Sequence, residues 1–219
     1  MMKKQKIIAA VTVALVITGH AATITVNTVA PTVDGLDEAN LTTITGRLKW
    51  FHDIEHDAGQ TFLPGADAVL TSFTIQLDSK NDNDDDPNEW VNVRLGTITR
   101  PLGIFTFTEI YAEAAYLTED WAAQDYISFN LDTPQALSGG VEYAVITDAQ
   151  NMGNWNGPGI PYIGLTGNTY ADGNAIGRGG PRGDDIVFHA NLEVEIIPEP
   201  TTTALLGLGG LALILRRRK

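Results

Sequence analysis

The sequence has no cysteine. That excludes disulfides, thiolate metal ligands and a thiol nucleophile, so stability must come from a packed core or from oxygen and nitrogen ligation. Cations are scarce in the middle of the chain. Of the 14 Lys and Arg, three (Lys3, Lys4, Lys6) fall near the start and four (Arg216, Arg217, Arg218, Lys219) end the chain, which leaves seven between. Set against 26 Asp and Glu between Ala22 and Ile197, they give the middle a net charge of −19, where the whole chain reads −13. Such a surface repels nucleic acid and anionic membranes, so no nucleic-acid partner is expected. Familiar catalytic signatures are missing too. None of Ser72, Ser79, Ser128 and Ser138 sits in a G-x-S-x-G elbow, and "GRGGPRGDD" (177–185) lacks the Lys-Ser/Thr of a phosphate loop.

Long apolar runs are absent from the middle and present at both ends. After the first lysines, "IIAAVTVALVITG" (7–19) carries no charge, and small residues follow at Gly19 and Ala21. This order of cations, apolar run and small residues is that of a secretory signal peptide, predicted over 1–21 with cleavage after Ala21. Sec-type export machinery is the partner it implies. Near the other end, Thr201 to Leu215 is uncharged and rich in Leu and Gly. As a helix it would reach about 22 Å, against a hydrocarbon core of about 30 Å. With local thinning it can still cross as a transmembrane helix. The cations after it then stay in the cytoplasm and the preceding domain lies outside.

Between the ends, Thr, Val, Ile and aromatic runs alternate with Gly, Asn, Asp and Pro, which is the texture of short strands and turns. Ten strands are predicted: 22–29, 41–51, 59–63, 68–78, 89–96, 104–117, 125–131, 141–148, 160–167 and 185–197. In "SFTIQLD", Phe73, Ile75 and Leu77 should face a core and Thr74, Gln76 and Asp78 solvent. The predicted fold is an all-β, jelly-roll-like antiparallel β-sandwich over residues 22–195.

Three stretches carry candidate chemistry. "HDIEH" sets His52, Glu55 and His56 in the order of an inverted zinc-peptidase motif. That chemistry needs both imidazoles on one helical face, whereas the surroundings read as strand, loop, strand, so a polar surface loop is expected. The acidic run "LDSKNDNDDDPNEW" (77–90) reads as a solvated hairpin loop. Alternatively, Asp82, Asp84 and Asp86 converge on calcium, which takes about 6–8 oxygen ligands. The Gly- and Asn-rich loop 151–164 holds Trp155 and Tyr162, whose rings either pack over the end of the sandwich or stack against a sugar.

Two resemblances add to this. "HDAGQTFLPGADAVLTSFTIQL", "FNLDTPQALSGGVEYAVITD", "YADGNA" and "DDIVFHANLEVE", in that order, resemble a diverse group of bacterial surface β-sandwich modules. The group implies a fold and no reaction. Pro198, Glu199 and Pro200, then the apolar run, then Arg216, Arg217 and Arg218, resemble the PEP-CTERM sorting signal of Gram-negative bacteria, here spanning 196–219. The resemblance implies export across the inner membrane and processing by an exosortase, a membrane-embedded cysteine-type enzyme. It also implies a final site at the cell surface or in an exopolysaccharide matrix. The expectation is a non-enzymatic exported protein with no certain cofactor. A carbohydrate-binding module, calcium-assisted or not, is the alternative, and a secreted hydrolase the third.

Overall fold

The structure, a computed structural model, describes residues 21–49, 58–79, 90–116, 121–148, 162–177 and 180–194. Fourteen strands make up almost all regular structure among them: β1 (Ala22–Asn27), β2 (Glu38–Asn40), β3 (Gly46–Lys49), β4 (Ala58–Phe62), β5 (Ala68–Ser79), β6 (Trp90–Thr99), β7 (Thr106–Tyr116), β8 (Tyr126–Leu137), β9 (Tyr143–Asp148), β10 (Tyr162–Thr166), β11 (Ala175–Gly177), β12 (Gly180–Pro181), β13 (Asp185–Ile186) and β14 (Phe188–Glu193). They form one hydrogen-bonded sheet, ordered β12-β11-β4-β9-β6-β7-β1-β8-β5-β10-β13, with β14 and β2 attached beside β5 and β3 beside β10.

The all-β expectation holds, and the purely antiparallel one is corrected. β1 runs parallel to β7 through Ala22↔Ala115 and Thr23↔Tyr116 while pairing antiparallel with β8 from Thr23↔Asn130 to Asn27↔Tyr126. The sheet is therefore mixed. β1 stitches a β4-β9-β6-β7 layer to a β8-β5-β14 layer, and both supply side chains to one core. Phe62, Val93, Leu95 and Val145 from the first meet Phe73, Ile75, Ile127, Phe129 and Phe188 from the second in a single buried cluster. Phe73 and Phe188 stack at 5.9 Å. A sandwich-like wrapping of the sheet is consistent with this shared core. A smaller cluster of Ile98, Ala144, Ile146 and Ile176 sits on the other face of the first layer beneath Phe105 and Phe107.

Alternation explains most of this. Ile127, Phe129 and Leu131 on β8 are buried while Ser128 and Asn130 are half-buried. On β5, Phe73, Ile75 and Leu77 point inward as predicted, but Thr74 is buried as well. Because β5 lies between β8 and β14, Thr74 is shielded by its neighbours, and its hydroxyl pairs with that of Ser128 at 2.8 Å. The strand predicted at 41–51 is regular only at 46–49 within the described residues, because its partner β10 has five residues to offer.

β8 also runs six residues beyond its predicted end, through Pro134. Between Ser72↔Asn130 and Leu70↔Gln135 its register with β5 slips, so residues 131–134 leave the ladder as a wide bulge. A proline is tolerated there because no ladder donor is lost. The amide freed at Asp132 donates to Glu113 Oε2 at 3.3 Å, and the Tyr111 hydroxyl donates to the same carboxylate. Glu113 is thus a buried acid, 6 % exposed, that ties the exposed bulge to β7.

The strand registers fix two ends of the domain. One carries the 63–67 connection, the β6–β7 tip at 100–105, the β8–β9 turn at 138–142 and the end of β14. We call it the proximal end, because the C-terminal residues leave from it. The other, the distal end, carries Asn27, Lys49, Ala58, Ser79, Trp90, Tyr126, Asp148 and Tyr162.

Candidate functional site

The motifs that resembled a surface module meet in the fold as a buried polar junction. Gln60, of "GQTF", is fully buried. Its amide nitrogen donates to Asp185 Oδ1 at 3.1 Å, and its carbonyl oxygen accepts from the Ile186 amide at 3.0 Å. Asp185, of "DIVF", is fully buried too, and its Oδ2 accepts from the amides of Thr169 and Tyr170, each at 2.9 Å. Those amides open the "YADG" turn. There the Tyr170 ring packs edge-on against Phe188 at 5.1 Å, and its hydroxyl donates to Glu38 Oε2 at 2.6 Å.

At Gly173 a Cβ would lie 1.9 Å from the Thr61 carbonyl oxygen, so only glycine lets the turn approach β4 this closely. Burial first, then the bond to Glu38, pushes the Tyr170 hydroxyl well above its usual range. Burial likewise raises the Glu38 carboxyl, and repulsion from Asp172 adds to the rise. Each of these polar atoms already has its protein partner. The junction clasps β4, which lies between β9 and β11, to β13, and its chemistry is structural.

Beside it, at the proximal end, lies an open cleft of about 470 Å³ lined by Leu63, Arg100, Glu142, Asp172, Asn174 and Arg182, among others. Arg100 forms a two-pronged pair with Glu142, including a 2.6 Å contact, and Arg182 pairs with Asp184 at 2.8 Å. The Glu142 carboxylate raises the Arg100 guanidinium further. With Arg100 and Arg182 neutralised by Glu142 and Asp184 and the Asp172 carboxylate also in its lining, the cleft offers hydrogen bonds to a polar ligand.

Of the residues singled out from sequence, Tyr162 and Ala21 lie within the described residues. Tyr162 opens β10 at the distal end, half-buried, with the Arg47 guanidinium 5.3 Å from its ring centre. Arg47 in turn meets Asp78 at 3.1 Å. Another cleft, at the distal end and about 370 Å³, has Asn27, Thr28, Pro31, Tyr126 and Ser128 in its lining. Ala21 directly precedes β1, whose first residue, Ala22, is 3 % exposed. His52, Glu55, His56, Asp82, Asp84, Asp86, Trp155, Pro198, Glu199, Pro200, Arg216, Arg217 and Arg218 lie outside the described residues.

The topology nevertheless relates three of the candidate stretches. The strand ends that bracket 50–57 (Lys49, Ala58), 80–89 (Ser79, Trp90) and 149–161 (Asp148, Tyr162) are all at the distal end. Among the described residues, no group of three or more His, Cys, Asp or Glu could hold a metal ion. No described helix is long and apolar enough to cross a membrane.

Sequence reasoning missed the structural weight of Gln60, Glu113 and Asp185, whose residue types read as surface. The signal was the inward phase of Gln60 and Glu113 among apolar neighbours in their strands.

Comparison with protein families matches residues 197–219 to the PEP-CTERM protein-sorting motif. The motif implies an exported protein with a C-terminal anchor in Gram-negative bacteria, processed by exosortase. Comparison with curated proteins finds no match.

Proposed function

We propose that this PEP-CTERM-tagged chain is a non-enzymatic display protein. Its all-β domain, of jelly-roll type, is exported behind a cleaved leader and held at the membrane by residues 201–215 as a transmembrane helix. Exosortase then processes it for the cell surface or an exopolysaccharide matrix. The observation that carries this reading is the sorting motif at 197–219, which begins three residues beyond the last described residue, Val194.

Two features of the domain support the topology. The folded strand β1 starts immediately after Ala21, so cleavage there removes the leader and spares the strand that joins the two layers. The three candidate loops are bracketed at the distal end, remote from the tail. At about 3.3 Å per residue, the eleven residues of β7 make that separation roughly 35 Å. The strand ends at that end of an anchored domain face away from the bilayer.

A carbohydrate-binding role, with calcium at Asp82, Asp84 and Asp86 and stacking on Trp155 and Tyr162, is the second reading. The partly exposed Tyr162 ring at the distal end favours it. The test of the first reading replaces Pro198, Glu199 and Pro200 by alanine in a host that has an exosortase. The variant should stay in the membrane fraction at its uncleaved mass, while the unchanged chain is released or transferred. Equal processing of both would overturn it. Saturable binding on a glycan array, lost in Tyr162→Ala, would favour the second reading.

A further inference from the structure

We infer that the proximal end of the domain is a bilayer-docking surface, with Leu102 and Ile104 inserted among the lipids that hold the C-terminal segment. The inference rests on the membrane-held form proposed above. Leu102 is fully exposed, at 101 %, and Ile104 is 65 % exposed. Both lie on the β6–β7 tip, closed by bonds from the Gly103 amide to the Arg100 carbonyl and from the Ile104 amide to the Pro101 carbonyl. Leu102 is held at φ 55°, ψ 27°, a left-handed conformation that suits Gly or Asn and disfavours a branched apolar residue. A leucine that is both strained and wholly solvated does nothing for the free domain. Its presence points to something outside the domain that takes up the side chain.

The occupant follows from where the chain goes. Val194, itself 66 % exposed, ends the described chain at the same end as the tip. Six residues, 195–200, separate it from Thr201, where the uncharged run begins, so seven Cα–Cα steps join the two. Fully extended, they span at most about 25 Å. When that run enters a bilayer, the proximal end is therefore held within about 25 Å of it, on the side that carries the tip. Val141, at 36 %, adds a further apolar group there. The adjoining Glu142 carbonyl accepts from the Ile98 amide at 2.9 Å, and its carboxylate neutralises Arg100 at the base of the tip. The tip is thus a rigid apolar protrusion with its one cation paired. A domain carrying −19 is repelled by anionic lipid, so the surface it fits is zwitterionic.

The absence of cysteine makes the test direct. Leu102→Cys, Ile104→Cys and, at the distal end, Val29→Cys (73 % exposed) are each labelled with an environment-sensitive fluorophore. The leader-free, tail-bearing chain is reconstituted into phosphatidylcholine vesicles containing nitroxide-labelled lipid. Docking predicts flotation with the vesicles, a blue shift and strong quenching at 102 and 104, and neither change at 29. Flotation with equal, weak quenching at all three sites would overturn docking and leave the anchoring reading intact. Failure to float would overturn both.

Discussion

Replacing Asp185 by alanine removes the acceptor for two buried donors, the Gln60 amide nitrogen and the Tyr170 amide, and for the part-buried Thr169 amide, while Gln60 keeps its bond to the Thr61 carbonyl. Each donor left without a partner costs about 1–3 kcal/mol. Partial relaxation and water entry bring the expected total to roughly 3–5 kcal/mol, the range for breaking a buried charged network. That is a large share of a domain stability of about 5–15 kcal/mol. In urea unfolding with a slope of about 2 kcal/mol/M, the midpoint should fall by roughly 2 M.

Asp185→Asn should recover little of this. Its amide oxygen can replace one carboxylate oxygen, but its NH2 group must point at a donor. Asp184→Ala, which removes only the partly exposed pair with Arg182, should change stability by less than about 1 kcal/mol. Gln60→Ala and Asp185→Ala combined should cost clearly less than the sum of the two, since they break one network. A midpoint shift under about 0.5 M for Asp185→Ala would refute the clasp.

Gly173→Ala should destabilise the domain through its clash with the Thr61 carbonyl, by about 1–3 kcal/mol in the same assay. Glu113→Ala should cost roughly 1–2 kcal/mol, because the Asp132 amide and the Tyr111 hydroxyl, both only part-buried, lose their shared acceptor. Asp37 gives a pH signature. Burial would raise its carboxyl, but bonds from the amides of Asp34 and Leu192 and from the His189 ring outweigh this and hold it below its ordinary value. A depressed carboxyl contributes stability that is full above its unfolded value of about 3.9 and is lost as pH falls through the lower folded value. Unfolding curves from neutral pH downward should therefore show the unchanged chain falling below about pH 4 and the difference from Asp37→Asn narrowing there.

Much of the fold was legible because period-2 alternation is strong wherever a strand has one buried face, as in β5 and the first half of β8. What escaped reading has specific causes. β2, β11 and β12 are two or three residues long and form only because longer strands template them. The parallel β1–β7 contact depends on two residues and leaves no local pattern. The bulge at 131–134 keeps β8 going through a proline that ordinarily ends a strand. Thr74 is buried by neighbours that its own sequence context does not reveal.

The candidate chemistry was legible as residue types in turn-rich stretches, and the described strand ends that bracket three of those stretches lie at one pole. Gln60 and Asp185 were invisible as a pair because 125 residues separate them. Composition did reveal the segregated charge and the terminal address, since both are written in contiguous runs.

The central claim is that this chain is exported and then processed at its C-terminal motif. Intact mass of the mature protein, recovered from an exosortase-bearing host and from the same host lacking that enzyme, tests it most directly. The account predicts a chain beginning at Ala22 in both, with the apolar run and Arg216 to Lys219 missing only where the exosortase is present. A protein that keeps residues 201–219 in both hosts would contradict it.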